Sequence, residues 1–266
     1  MSELVAPAKI NLALVVGPAG ASGKHEVTTV LQRVGLADQI ALEPAARLRV
    51  DGFADDTLVA AALEAIAEAA GTEPRWAVRI EKEIPVAAGL GGGSSDAAAA
   101  LLLANATLDS PLGPDRLHAL ANGLGADVPF FLTAGPQLGE GDGSALTPLE
   151  LPQHHSVLIH LTRGAAKAST AAVYAAFDER DGARGYEDRR ARLLEALAEG
   201  DLAALPPNDL ASSPLADELR ALGAFRADVT GAGPAVYALF EDPAAAAEAK
   251  EHLRGRGRVW IVPTAW

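Results

Sequence analysis

No cysteine occurs anywhere in the 266 residues. That excludes disulfides, thiolate metal sites and a cysteine nucleophile, and a cytoplasmic, redox-indifferent chain is the expectation. No window reaches 18 uninterrupted apolar residues, so no transmembrane helix and no membrane partner are expected. The opening stretch MSELVAPAKINLALVV has no basic leader and runs straight into strand-like alternation, which is not how a secretory signal reads. Basic residues are also scarce, 22 against 35 acidic ones, for a net charge of −13. A general nucleic-acid surface needs the opposite balance, so no nucleic acid is expected as a partner. Any polyanion bound here must be held without a large positive field. What the chain has in quantity is apolar side chains, 49% of the total, enough for a sizeable core and too many for extensive disorder.

The pattern along the chain indicates an α+β protein of two domains with a boundary near residue 150. From Pro7 to Val16 the residues alternate as in a strand, with Ile10, Leu12 and Leu14 on one face and Lys9, Asn11 and Ala13 on the other. Apolar runs follow at Thr28–Leu36 and Gln39–Leu42. An amphipathic helix is expected over Leu58–Ala70, a strand over Trp76–Glu81, and helices from about Ser95 to Asn105 and from Pro114 to Leu124. A Gly/Pro-rich stretch at Gly135–Pro152 reads as edge strands and a linker. Beyond it come a strand at Ser156–Leu161, helices at Thr170–Phe177, Arg189–Glu199 and Pro214–Leu222, strands at Phe225–Val229 and Ala235–Phe240, a helix at Pro243–Arg254 and a strand at Val259–Val262. With the middle helices grouped, this is the split βαββαβ order of a ferredoxin-like domain.

The most distinctive stretch is IPVAAGLGGGSSDAAAALLL, Ile84–Leu103. Successive glycines let backbone N–H groups converge, and a helix N-terminus directly after them adds unpaired amides and the helix dipole. Phosphate is the expected guest, and backbone amides explain how an acidic chain could hold it. Ser94 and Ser95 add hydroxyl donors, and one of them could cap the helix. A turn whose glycines only terminate elements is the plainer alternative. Two familiar phosphate motifs are absent: Gly89, Gly91 and Ser94 lack the third glycine of the dinucleotide fingerprint. Gly17–His25 has Pro18 where a P-loop needs its first glycine and His25 where it needs Ser or Thr.

PVAAGLGGGSSDAAAAL resembles the phosphate loop of the galactokinase, homoserine kinase, mevalonate kinase and phosphomevalonate kinase (GHMP) superfamily. APAKINLAL, LGADVPFFL and VTGAGPAVYALF, in that order, are similar to motifs of its 4-diphosphocytidyl-2-C-methyl-D-erythritol kinase family. The resemblance spans nearly the whole chain. It implies an N-terminal ATP-binding and catalytic domain over residues 1–150, a C-terminal ferredoxin-like domain over 151–266, and an active site in the cleft between them. The implied reaction is ATP-dependent phosphorylation of the 2-hydroxyl of 4-diphosphocytidyl-2-C-methyl-D-erythritol, for isoprenoid precursors. Partners would be ATP and this small molecule, with the chain a monomer or weak homodimer.

Phosphoryl transfer needs a fixed electrophile, neutralised phosphate charge and a destination for the alcohol proton. The resemblance makes Asp127 the base and Lys9 the catalytic lysine that keeps it ionised and oriented. From the residues alone, Asp127 could equally be a helix N-cap and Lys9 an exposed strand residue. The ATP-binding set is Pro85, Val86, Ala87, Ala88, Gly89, Leu90, Gly91, Gly92, Gly93, Ser94 and Ser95. Asn11, on the Lys9 face, could bind substrate hydroxyls. His25 corresponds to the family histidine that reads cytosine, although Lys24 replaces the aromatic beside it. STAAVY is similar to a family segment that would make Tyr174 the stacking aromatic with Thr170 nearby, and helix packing is the alternative for Tyr174. TGAGP, with Gly231 and Gly233, is similar to the third superfamily motif, whose backbone lies beside the phosphates and substrate. Asn208-Asp209 is read as a helix cap. Mg²⁺ is implied by the triphosphate, its protein ligands undetermined, with Ser95 and Asp96 nearest. Another GHMP acceptor, homoserine or mevalonate, and a non-catalytic nucleotide-binding module are the competing readings.

Overall fold

The computed structural model describes residues 1–21, 23–54, 56–165 and 169–265; Ser22, part of the segment ending in His25, lies outside the described residues. The chain forms two compact units interleaved in sequence. The first comprises Met1–Ala8, Leu36–Val86 and Gly91–Ala134; the second comprises Lys9–Gly35, Ala87–Leu90 and Gly135–Trp266. Two long strands, β1 (Ser2–Ala19) and β2 (His25–Pro44), contribute residues to both.

In the first unit, the later half of β2 pairs antiparallel with β4 (Trp76–Glu81), Ile40 opposite Ile80. β4 in turn pairs parallel with the short β3 (Arg49–Asp51). Helix α1 (Leu58–Ala69) buries Val59, Ala62, Leu63 and Ile66 at helical spacing, so one apolar stripe is its packing face. It packs on α2 (Gly92–Asn105), which is buried almost all round from Ser95 to Ala104. Four consecutive alanines, Ala97–Ala100, let neighbours approach α2 closely on every side. Helix α3 (Pro114–Leu124) starts with Pro at its first position and carries Asp115 in its first turn, both favourable at a helix N-terminus. After it comes a short 3₁₀ helix, Pro129–Leu132.

In the second unit, β5 (Gln137–Glu140) pairs with the early half of β2 and forms a hairpin with β6 (Ala145–Pro148). The rest is strand β7 (Ser156–Thr162), helices α4 (Thr170–Glu179), α5 (Tyr186–Glu199) and α6 (Pro214–Ala221), strands β8 (Arg226–Val229) and β9 (Val236–Phe240), helix α7 (Pro243–His252) and strand β10 (Gly257–Ala265). The four strands lie in the order β10-β7-β9-β8, all antiparallel, which is the ferredoxin-like order the element pattern predicts. Leu158, Leu219, Val236, Phe240, Ala246 and Leu253 form the core between this sheet and helices α6 and α7. A second cluster joins Leu14 and Val16 of β1 and Val27 of β2 to Phe177 of α4 and to Leu210.

Two local expectations are corrected. Thr28–Leu36 and Gln39–Leu42 are one strand rather than two: Asp38, between the two runs, is buried within β2, its carboxylate accepting from the backbone N of Glu83 and Ile84. α2 begins at Gly92, not Ser95, and its N-cap is Gly91 in the left-handed conformation (φ 70°) without a side-chain cap. Neither Ser94 nor Ser95 caps it, because both already lie inside the first turn.

Candidate active site

The glycine loop leaves β4 and ends at the first turn of α2. Its backbone is unusual where it turns: Ala87 has φ 55° and Gly89 φ 84°. A side chain at Ala87 in this region costs about 1–2 kcal/mol, so surrounding contacts must hold it there. Three successive loop carbonyls are taken up by donors of the second unit. Ala88 O accepts from Ala235 N (3.1 Å), Gly89 O from Thr230 Oγ1 (3.3 Å) and Leu90 O from Lys9 N (2.9 Å). Carbonyl oxygens repel phosphate, so committing them to the protein suits an anion site. At the other end of the loop, the first i→i−4 bond of α2 is Ser95 N to Gly91 O (2.9 Å). The amides of Gly92, Gly93 and Ser94 precede it and lie outside that ladder, where the helix dipole favours an anion.

Lys9 is buried on β1 and donates from Nζ to Asn11 Oδ1 (2.7 Å). Asn11 is itself held on three sides. Its Nδ2 donates to Thr29 Oγ1 (2.8 Å), and its backbone N donates to Thr230 Oγ1 (3.0 Å). Its Oδ1 also lies 3.3 Å from Thr230 Oγ1, whose one proton is shared between this oxygen and Gly89 O. Thr29 passes its own hydroxyl to Ala13 O (2.7 Å). The side chain of Asn11 therefore orients Lys9. Thr230 opens the TGAGP turn and is fully buried; its single hydroxyl links that turn, Asn11 and Gly89. A Cβ on Gly231 would lie 3.6 Å from Lys9 Nζ, so the turn backbone passes directly beside the ammonium. Sequence reasoning quoted Thr230 within its motif but assigned it no part.

Asn208 and Asp209 do not cap a helix, which corrects the sequence reading. α6 starts later, capped by Ser213, whose Oγ accepts from Leu215 N (3.3 Å). Asn208 Nδ2 instead donates to Val229 O (2.9 Å) and Gly231 O (2.7 Å), stapling the TGAGP turn from beneath. Asp209 Oδ2 accepts from Val16 N (2.8 Å) and Arg189 Nε (3.0 Å). Burial pushes the Asp209 carboxyl up, against the pull of these donors. The preceding segment is fixed by buried Arg226, which donates to the carbonyls of Leu202, Leu205 and Pro206.

His25, the first residue of β2, lies ring to ring with Tyr174 of α4, centroids 4.9 Å apart, and edge-on to Phe177 at 5.7 Å. Nδ1–H donates to Gly17 O (2.9 Å), since a carbonyl can only accept, and Nε2 lies 3.4 Å from Asp178 Oδ2. Thr170 is the exposed first residue of α4, whose cap Ser169 accepts from Ala172 N (3.1 Å). Lys24 is turned to Asp142 in the β5–β6 turn (2.6 Å), and that contact, with the Ser144 hydroxyl, holds the Asp142 carboxyl down at about 2. Within the second unit the structure thus brings together Lys9, Asn11, Gly231 and the carbonyl side of the loop, and separately His25 with Tyr174.

In the first unit, Asp127 is half-buried in the turn between α3 and the 3₁₀ helix. It is not an N-cap; Val128 holds that position, and no side chain caps it. Among the described residues no group of three or more His, Cys, Asp or Glu could hold a metal. Ser95 Oγ is buried with no hydrogen-bond partner among them, while Asp96 gives Oδ2 to Lys82 (2.7 Å).

The GHMP kinases N terminal domain matches residues 57–135, and the GHMP kinases C terminal domain matches residues 188–259. A 4-diphosphocytidyl-2-C-methyl-D-erythritol kinase of Nocardia farcinica is 40% identical over 98% of this chain and 92% of its own length. The enzyme of the same name from Streptomyces coelicolor is 37% identical over 97% and 94%. The crystal structure of a 4-(cytidine 5'-diphospho)-2C-methyl-D-erythritol kinase covers both chains fully, with a TM-score of 0.83 and 33% identity. A homoserine kinase of Cytophaga hutchinsonii shares the fold alone, at a TM-score of 0.74 and 15% identity over 99% of this chain and 94% of that one. With near-complete coverage at such identity, and with both domains present, the chain belongs to the GHMP kinases and, within them, to the 4-diphosphocytidyl-2-C-methyl-D-erythritol kinase family of ATP-dependent small-molecule kinases.

Proposed function

We propose that this chain transfers the γ-phosphoryl group of ATP to the 2-hydroxyl of 4-diphosphocytidyl-2-C-methyl-D-erythritol, with Asp127 as the base and Lys9 as the catalytic lysine. The observation that carries the choice of acceptor is the contact of His25 with Tyr174 at 4.9 Å. One residue offers a ring-nitrogen edge and the other an aromatic face, the two features a cytosine base requires. The full-length relatives bearing the cytidyl kinase name support the same choice.

In this reading the loop from Pro85 to Ser95 cradles the phosphates through backbone amides. Lys9, oriented by Asn11, offsets charge on the transferring group, and Asp127 accepts the proton leaving the acceptor hydroxyl. Tyr174 stacks on cytosine, His25 reads its edge, and Thr170, Gly231 and Gly233 line the acceptor. Mg²⁺ fits at Ser95, whose orphaned hydroxyl is a hard oxygen ligand; when bound, the ion neutralises phosphate charge. Asp96 fits less well, because its Oδ2 is committed to Lys82. We also propose the family domain boundary near residue 150, which falls between the two matched stretches.

The test is ADP release with ATP-Mg²⁺ and a panel of cytidyl methylerythritol, homoserine and mevalonate. Turnover with the cytidyl compound is expected; turnover only with another acceptor overturns the assignment. Asp127→Asn is expected to bind ATP normally while activity falls by about two orders of magnitude or more. A fully active variant removes Asp127 from the role of base.

A further inference from the structure

The loop's two ends are joined by a buried charge cluster in the first unit. Asp38 on β2 is fully buried. Its Oδ1 accepts from the backbone N of Glu83 (2.6 Å) and of Ile84 (2.8 Å), the two residues before the loop begins at Pro85. Its Oδ2 accepts from Lys82 Nζ (2.5 Å). Lys82 also donates to Asp96 Oδ2 (2.7 Å), on α2 one residue beyond the loop's last member, Ser95. Gly92 lies so near that a Cβ there would be 3.0 Å from Ile84 Cγ2 and 3.3 Å from Lys82 Nζ.

The cluster is costly. Two buried carboxylates share one partly buried ammonium, and Asp96 Oδ1 has no hydrogen-bond partner among the described residues. Burial pushes the Asp96 carboxyl up despite Lys82. Burial also works against the Lys82 ammonium, but the two carboxylates outweigh it and raise Lys82. Apolar residues of similar volume would fill this space at less cost, so its stabilising value does not account for it. What an apolar filling could not do is fix the positions of two backbone N–H groups and of the N-terminal part of α2 relative to each other.

We infer that Asp38 is a positioning residue for ATP, acting with Lys82 and Asp96 as a clamp that sets the spacing between the two ends of the phosphate loop. The inference rests on the kinase reading but not on the identity of the acceptor. Phosphate recognition by amides depends on geometry at the sub-ångström level, and small misplacement is expensive.

The test is Asp38→Asn, which keeps an oxygen for the two backbone amides and loses the ionic hold on Lys82. Binding of a non-hydrolysable ATP analogue with Mg²⁺ is measured by calorimetry, beside steady-state constants and thermal unfolding. The expected result is a Kd and KM for nucleotide raised about tenfold or more, with the acceptor KM unchanged and kcat at saturating ATP within about threefold. Charge alone predicts the opposite sign, because removing a negative charge near a triphosphate tightens binding. Tighter binding, or unchanged affinity with a lowered Tm, overturns the inference. If Asp38→Asn does not fold, Lys82→Arg keeps all charges but lengthens the bridge. There a nucleotide Kd raised about threefold or more supports the clamp, and a smaller change overturns it. If the acceptor assignment is wrong, the parent chain shows no turnover of the cytidyl compound while the binding measurement still reports on the clamp.

Discussion

Replacing Gly89 by alanine tests whether the glycine loop is held by the TGAGP turn as described. Gly89 has φ 84°, and a Cβ there would lie 2.4 Å from Thr230 O and 3.1 Å from Gly233 O. Both obstacles are backbone, so no rotamer change can relieve them. Restoring an ordinary contact of about 3.2 Å requires a shift of about 0.8 Å, enough to loosen the bonds from Thr230 and Lys9 to the loop carbonyls. The left-handed backbone costs alanine about 1–2 kcal/mol, and the overpacking about 1–3 kcal/mol more. A loss of about 2–5 kcal/mol is therefore expected in urea unfolding, a large part of a typical domain's stability. ATP affinity falls in parallel. Gly93 provides the control: it lies inside α2, and a Cβ there meets only Leu58 Cδ1 at 3.4 Å. Gly93→Ala is expected to raise unfolding stability by about 0.5–1 kcal/mol. If Gly89→Ala unfolds within about 0.5 kcal/mol of the parent and binds ATP equally well, the loop does not rest on the turn in this way.

Thr230→Val keeps shape and removes the hydroxyl, leaving the buried Asn11 N–H without its acceptor; a loss of about 1–3 kcal/mol is expected in urea unfolding, with Thr230→Ser near the parent. Lys24→Tyr restores the family aromatic beside His25 and is expected to lower the KM for the cytidyl acceptor without changing the KM for ATP. Its cost in stability is under about 1 kcal/mol, because Lys24–Asp142 is a largely exposed pair. Asp142 itself predicts a pH dependence. Its folded value, about 2, lies below the ordinary 3.8. Its contacts therefore stabilise the fold above about pH 4, and that contribution fades as pH falls through about 2. Asp142→Asn should flatten this part of the stability curve, measured by thermal unfolding between pH 6 and pH 2.5.

Local patterns carried much of the fold. Alternation at β1, the alanine-rich run after the glycines and the βαββαβ order all depend on neighbours in sequence, and all are present. Misreadings arose where one local signal has two structural uses. Asn208 stands shortly before a helix, so a cap was a natural reading. The helix is capped by Ser213 instead, and Asn208 reaches Gly231 in a turn it does not adjoin. Ser94 and Ser95 follow glycine and precede alanines, but Gly91 in the left-handed conformation starts the helix one turn earlier. The apolar runs Thr28–Leu36 and Gln39–Leu42 are separated by Asp38, whose side chain is buried within one continuous strand. The Asp38–Lys82–Asp96 cluster had no local signature at all, because only the pairing of β2 with β4 brings Asp38 to Lys82.

How a chain of net charge −13 holds a triphosphate follows from distance rather than total charge. Mobile ions screen exposed charges beyond roughly 8–10 Å at physiological ionic strength, so exposed carboxylates farther than that from the loop are weakly felt there. Within hydrogen-bond reach, orientation decides the sign. With the carbonyls of Ala88, Gly89 and Leu90 bonded to Ala235, Thr230 and Lys9, each already has a lone pair engaged. The start of α2 contributes amides and the positive end of its dipole. The carboxylates closest in sequence to the loop exit include Asp96, and it is buried against Lys82 rather than turned to solvent. A local site can therefore favour an anion in an acidic protein, provided its backbone is held rigidly. That requirement makes the side chains fixing the loop, Asp38 and Thr230 among them, as consequential for ATP as the glycines.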